Sequence, residues 1–240
     1  MKRVLAFDFG ASSGRAILAE YRDGDLRCQE VHRFDNQPRQ SEGHFRWNFA
    51  ELMANVYLGM EKAGPFESVG FDTWGVDFGL LDEGGRLLGD PVHYRDSRTE
   101  GMVELARRIL PEEQLYAATG NQIMPINTLF QLLALKQSQP ELLERARRLL
   151  FMPDLFAYAL CGAEVCETTI ASTSQMLDVR TGGWSQPVLD AFGIPARLLA
   201  PRVDSGSVVG TYQGARVIAV AGHGTQCAGA GMAAPQPGGA

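Results

Sequence analysis

The chain has 240 residues, 45% of them hydrophobic and 21% charged, a composition ordinary for a globular protein with a large core. Its formal net charge of −6, with acids and bases interspersed, provides no basic stripe for nucleic acid and no polybasic patch for a membrane surface, so small molecules are the expected ligands. No apolar run reaches the ~20 residues of a membrane span, and an acid interrupts the amino terminus before any signal-peptide core forms. Cys28, Cys161, Cys166 and Cys227 form no C-x-x-C pair and no metal-ligand spacing, which predicts a cytoplasmic protein with reduced, buried thiols.

Residues 4–7, 16–21 and 25–34 read as three early strands, the last two joined by an Asp-Gly turn at Asp23-Gly24. Between the first two lies Asp8-Phe9-Gly10-Ala11-Ser12-Ser13-Gly14-Arg15. Gly10 and Gly14 remove Cβ bulk and the serines add donors, so the backbone N–H groups of this turn suit a phosphate. Asp8, at the end of the first strand, suits a hydrated divalent metal beside that phosphate. The turn is not a P-loop, because no Gly-Lys-Ser/Thr follows it. By composition alone it is also an ordinary Ser/Gly hairpin that binds nothing.

A short extended piece at 45–47 leads to Asn48, which caps a helix with Leu52, Val56, Met60 and Ala63 facing a core and Gly64-Pro65 ending it. Residues 68–73 form an apolar strand with Asp72 near its carboxyl end, where open α/β sheets place ligands. A second hairpin is expected from 77–81 and 86–92 around Asp82-Glu83-Gly84-Gly85. The charged stretch Tyr94-Arg95-Asp96-Ser97-Arg98-Thr99 reads as a solvated loop, or as a pocket lining, feeding a helix over 97–110. Helices follow over 111–118, ended by Gly120, over 129–137 after the Asn127-Thr128 cap, and over 140–147. A strand at 149–152, a helix at 155–160, a Ser/Thr-rich loop at 168–178 that passes near a site, and a helix at 184–192 come next. Finally, strand 216–221 delivers Gly222-His223-Gly224-Thr225-Gln226 into a small-residue helix over 227–233, and 234–240 reads as a linker. The alternation of strands and helices predicts an α/β fold.

Four stretches point together to one family: Phe7 through Arg15, Asp72-Thr73-Trp74-Gly75-Val76-Asp77-Phe78, the 94–99 loop, and Met152-Pro153-Asp154. The chain resembles the amino-terminal half of the FGGY carbohydrate kinases, in their rhamnulokinase branch. The resemblance implies a ribonuclease H-like domain of the actin and hexokinase type over 1–233, a mixed sheet flanked by helices, with a linker towards a second, nucleotide-binding domain. It implies ATP and Mg²⁺ as cofactors, with Ala11, Ser12, Ser13, Gly14 and Arg15 on the ATP phosphates and Asp8 holding the metal through water. It assigns the ketose to Trp74, Gly75, Val76, Asp77, His223, Gly224 and Thr225. L-Rhamnulose, phosphorylated at its 1-hydroxyl, is the implied substrate, and another ketose or pentulose is the alternative. A fragment lacking the second domain is expected to be inactive alone, as a monomer or a dimer.

One departure from the family pattern bears on the chemistry. The family's His-Asp-Thr-like segment supplies its Asp as general base, and here His223-Gly224-Thr225 stands in its place. Gly224 accepts no proton, and an oriented base is worth roughly 10²- to 10⁴-fold in rate. His223, with an ordinary pKa of about 6.5, is the nearest substitute. Its other readings are a hydrogen bond to the sugar, which the resemblance implies, and a histidine packed at a helix start. Asp72 and Asp77 are the other carboxylates that enter this reckoning. A sugar-binding or regulatory domain that has lost catalysis is the rival function.

Overall fold

The computed structural model describes residues 1–231. Strands β1 (Lys2–Phe9), β2 (Ser13–Arg22) and β3 (Asp25–Asp35) form an antiparallel meander. Asp23 and Gly24 both take positive φ, 52° and 97°, the conformation a tight Asp-Gly hairpin requires. A small hairpin of β4 (Arg39–Ser41) and β5 (His44–Arg46) leads into α1 (Phe49–Ala63). The Asn48 side chain accepts from Glu51 N, and Gly64 ends the helix at φ 66°, so both sequence-read caps operate.

Strand β6 (Ser68–Asp72) then runs parallel to β1, with Asp8 opposite Asp72. The next strand, β7 (Phe78–Leu81), corrects the expected second hairpin: it pairs antiparallel with β8 (Arg148–Phe151) instead of with 86–92. Phe78, Leu80 and Leu81 are buried, as are Leu149, Leu150 and Phe151, and pairing these apolar strands keeps both in the core. Segment 86–92 carries Gly89 at φ 115° and Pro91, which interrupt a ladder, so its link to β7 is reduced to a bridge between Leu81 and Leu87.

The helix expected over 97–110 is split by Gly101, at φ 75°, into a 3₁₀ turn at Ser97–Thr99 and α2 (Met102–Ile109). Helices α3 (Glu112–Thr119), α4 (Thr128–Ser138), α5 (Pro140–Arg145) and α6 (Met152–Cys161) follow. After the short β9 (Cys166–Glu167), the expected loop opens as helix α7 (Thr168–Ala171) and continues as a 3₁₀ turn at Ser172–Ser174. Glu167 causes this: its side chain accepts from Thr169 N and Ile170 N and starts the helix. Helix α8 (Gln186–Phe192), β10 (Arg202–Val203), β11 (Ser207–Tyr212), β12 (Ala215–Ala219) and α9 (Gly224–Gly231) complete the described residues. Strand β11, not expected from the sequence, is short and half-exposed with a bulge between Val208 and Gly210, so it carries little alternation to read. The expected linker at 234–240 lies outside the described residues.

The main sheet has the order β11-β12-β6-β1-β2-β3. Leu5, Phe7 and Phe9 of β1 alternate inward. Phe156 of α6 stacks on Phe9 with ring centroids 4.4 Å apart, and Phe7 stacks on Phe71 at 5.3 Å. Helix α1 lies close on the same face because Gly59 has no Cβ; one there would stand 2.8 Å from Phe7 Cε1 and 2.9 Å from Ala16 Cβ. Strands β1, β6 and β12 are parallel to one another, so their carboxyl ends share one edge of the sheet. Among the described residues no helix is long and apolar enough to cross a membrane.

Candidate active site

The turn after β1 is pinned from below. Asn36 Nδ2 donates to Gly10 O at 2.7 Å and Asn36 N to Ser12 O at 3.0 Å, while Gly10 N closes the turn onto Ser13 O at 2.9 Å. These bonds engage the carbonyls and leave Ala11 and Ser12 exposed at the tip. Gly14 has a different reason to be glycine than the sequence reading supposed: it is buried, and a Cβ there would fall within the Phe34 ring. Arg15 folds back to pair with Asp8, both side chains remaining about one-third to two-fifths exposed.

Three strand ends then bring acidic and small residues into one row. Asp8 of β1 faces Asp72 of β6 in register. The chain after each of β6 and β12 stays zipped: Thr73 N donates to Gly222 O at 2.9 Å, and Gly224 N donates to Thr73 O at 2.9 Å. Gly224 is thereby set against Asp72, whose Oδ1 lies 3.0 Å from the point a Cβ on Gly224 would occupy. Burial, reinforced by the Asp8 charge and opposed by Arg15, pushes the Asp72 carboxyl up to about 7.

Beside this row opens a pocket of about 500 Å³. Trp74, Gly75, Val76, His223 and Thr225 line it, so five of the seven residues expected to hold a sugar surround one cavity. Gly224 does not line it and sits against Asp72. His223 is half-buried with its Nδ1 unpartnered, and burial lowers its pKa, so the imidazole is neutral near pH 7 and able to accept a proton or a hydrogen bond.

Asp77 is the exception. It is 0% exposed and stands behind the pocket wall, which corrects its assignment as a direct sugar ligand. Its carboxylate accepts from Trp47 Nε1 at 2.7 Å, Trp74 Nε1 at 2.9 Å and Tyr94 N at 3.2 Å, with Gln131 Nε2 at 3.3 Å. The two indoles are stacked with centroids 3.9 Å apart. Burial pushes the Asp77 carboxyl up to about 7 against the pull of Trp47, Gln131, Trp74 and Arg98. Asp77 therefore braces the two indoles and the Tyr94 backbone behind the pocket wall. The wall is also held in an uncommon backbone conformation: Val76 lies at φ 69°, fixed by Thr128 Oγ1 donating to its carbonyl at 2.7 Å and its own N–H donating to Thr173 Oγ1 at 3.0 Å.

The 94–99 loop departs from the solvated reading. Asp96 is buried and accepts from Phe45 N at 2.8 Å, Arg98 N at 3.0 Å and His44 Nδ1 at 3.0 Å. Arg98 reaches inward to Gln131 Oε1 at 2.6 Å, Tyr94 lines the pocket, and Arg95 is exposed. Asn121, Gln122, Met124, Ile126, Asn127 and Thr173 also line the pocket and went unread as site residues, apart from the expectation that the 168–178 loop passes near a site. The 121–126 segment, Asn-Gln-Ile-Met-Pro-Ile, has neither helix nor strand periodicity to mark it in the sequence. All four cysteines are free, and Cys28 is exposed, which corrects the expectation of uniformly buried thiols.

Residues 3–231 match the FGGY family of carbohydrate kinases, N-terminal domain. A rhamnulokinase of Yersinia pestis bv. Antiqua (strain Angola) is 40% identical over 243 residues, covering 97% of this chain and 50% of the relative. A rhamnulokinase of Pectobacterium atrosepticum is 38% identical, covering 88% of this chain and 44% of the relative. The chain thus spans about half the length of the curated relatives it matches. Among solved structures, ligand-bound xylulose kinase from Lactobacillus acidophilus superposes with a TM-score of 0.80 at 18% identity, over 92% of this chain and 48% of that one, and so shares the ribonuclease H-like fold. The chain belongs to the FGGY family of carbohydrate kinases and comprises its amino-terminal domain.

Proposed function

We propose that this chain is the sugar-binding half of an ATP-dependent ketose kinase whose substrate is L-rhamnulose, phosphorylated at its 1-hydroxyl. The pocket beside Asp72 and Gly224 carries this reading. It combines the apolar side chains of Trp74, Val76, Met124 and Ile126 with the polar ones of His223, Thr225, Gln226 and Thr173. A ketose ending in a methyl group and bearing several hydroxyls needs both kinds of surface. The relatives named above as rhamnulokinases support the same substrate.

The strand-end turn Ala11 to Arg15 presents exposed backbone and serine groups to the ATP phosphates, a role suited to its pinned geometry. Asp8 and Asp72 face each other in register as hard-oxygen groups that would hold a hydrated Mg²⁺ beside those phosphates, Asp8 through water. Among the described residues no three His, Cys, Asp or Glu side chains gather into a cluster that could hold a metal directly. When bound, Mg²⁺ would neutralise charge on the phosphoryl oxygens. The chain's own residues bind and orient the ketose, and the proton of its 1-hydroxyl passes to a neighbouring acceptor. With Gly224 offering none, neutral His223 and the carboxyl of Asp72 are the candidate acceptors.

The glycine at 224 favours a second reading, a sugar-binding or regulatory protein without catalysis. Titration of L-rhamnulose into this chain, followed by Trp fluorescence and calorimetry, tests the binding that both readings share. Saturable binding that Trp74→Ala weakens supports it, and absence of binding at millimolar sugar overturns it. ATP turnover by the protein joined to a nucleotide-binding half separates kinase from binder.

A further inference from the structure

Glu167 is 1% exposed, and the proposed chemistry gives it no part. Its Oε2 accepts from Thr169 Oγ1 at 2.6 Å, Thr169 N at 2.9 Å, Gly222 N at 3.0 Å and Ile170 N at 3.1 Å, and its Oε1 accepts from Ser205 Oγ at 2.5 Å. All five donors are neutral, and they come from three separate parts of the chain: α7, the strand-end segment before His223, and the turn before β11. A buried carboxylate held only by oriented dipoles requires each of them in place, because a lost donor is not replaced by water.

Two walls of the pocket depend on these bonds. On one side, Thr169 Oγ1, while donating to Glu167, accepts the backbone N–H of His223 at 3.4 Å, so Gly222 and His223 are both referred to this carboxylate. On the other side, α7 continues into Thr173, whose hydroxyl donates to Ile170 O at 2.8 Å and accepts from Val76 N at 3.0 Å. Asn127 Nδ2 also donates to Thr173 O at 3.1 Å, fixing the 121–127 segment to the same turn. We propose that Glu167 is a positioning residue that, through Thr169, sets the His223 segment and the Thr173–Val76 wall at a fixed separation across the sugar pocket.

This inference rests on the pocket's being the L-rhamnulose site, and the test separates the two. Thr169→Val keeps the shape of the side chain but removes both roles of its hydroxyl, while Thr169→Ser restores them. Glu167→Gln keeps one carbonyl oxygen for the four donors and turns its amide towards Ser205, which can accept. L-Rhamnulose affinity is expected to fall about tenfold in Thr169→Val, the scale of one to two lost hydrogen bonds, and to stay within about threefold in Thr169→Ser and Glu167→Gln. Amide hydrogen exchange at His223 and Val76 is expected to speed up about tenfold in Thr169→Val, with the melting of the rest of the domain retained. A folded Thr169→Val protein with unchanged sugar affinity and unchanged exchange at both amides overturns the proposal. If the unmodified chain binds no L-rhamnulose, the substrate reading fails, and exchange at His223 and Val76 still decides the positioning role.

Discussion

Asp72 Oδ1 lies 3.0 Å from where a Cβ on Gly224 would stand, so any side chain at 224 meets a carboxylate already present. A side chain at 224 fits only if Asp72 yields by a few tenths of an ångström, and a second carboxylate there would share its surroundings with Asp72 and Asp8. Gly224→Asp is therefore expected to fold with reduced stability. Joined to a nucleotide-binding half, it is expected to raise ATP turnover with L-rhamnulose by roughly 10²- to 10⁴-fold, the worth of an oriented base. A coupled turnover assay on the paired proteins checks this. Equal rates with and without the substitution would assign proton transfer to a group other than residue 224.

The raised carboxyl of Asp72 makes stability depend on pH. Folded Asp72 holds its proton up to about 7, while the unfolded chain releases it near 4, so folding takes up a proton between these values and stability falls as pH rises through them. His93, which burial and the Arg95 charge hold down at about 4, acts in the opposite sense over 4 to 6.5. Comparing the unmodified chain with Asp72→Asn cancels that contribution. The Asn form is expected to gain in relative stability from pH 4.5 to pH 8, by up to roughly 1.4 kcal/mol per pH unit crossed below 7. Urea denaturation across this range gives the difference directly, and a difference that does not change with pH rules the prediction out.

Asp77→Ala is expected to cost about 3 kcal/mol or more, because it leaves Trp47 Nε1, Trp74 Nε1 and Tyr94 N without their acceptor inside the core. Asp77→Asn keeps an acceptor oxygen and is expected to cost less. Chemical denaturation measures both. The Trp emission of the Ala form should shift as the stacked indoles lose their common anchor.

Val76 gives a contrast between position and burial. Replacing it by Gly loses about 2–3 kcal/mol of apolar burial but releases about 1–2 kcal/mol of left-handed strain, so the net loss of stability is expected to be only about 1 kcal/mol. Val69→Ala, at a fully buried strand position with ordinary backbone, is expected to cost about 2–3 kcal/mol. Equal losses in the two variants, by thermal or urea melts, would show that Val76 carries no strain.

What the sequence by itself determined is local or motif-borne. The β1-β2-β3 meander follows from alternating apolar residues and an Asp-Gly turn, and α1 from its Asn48 cap, four core-facing positions and Gly64, each readable within one short window. The motif stretches singled out Asp8, the 11–15 turn, Trp74 to Val76 and His223 to Thr225; in the fold Asp8 faces Asp72 at a strand end, and Trp74 to Val76, His223 and Thr225 line one pocket. Tertiary structure alone decided the rest, because burial and pairing depend on which distant segment covers a residue. β7 joined β8 and left the nearer 86–92 segment, since two apolar strands bury each other better than one strand and a Gly/Pro-broken partner. Asp77 is buried behind the pocket wall because two indoles from separate elements close over it, and Glu167 is the junction of three segments whose donors no sequence window contains together.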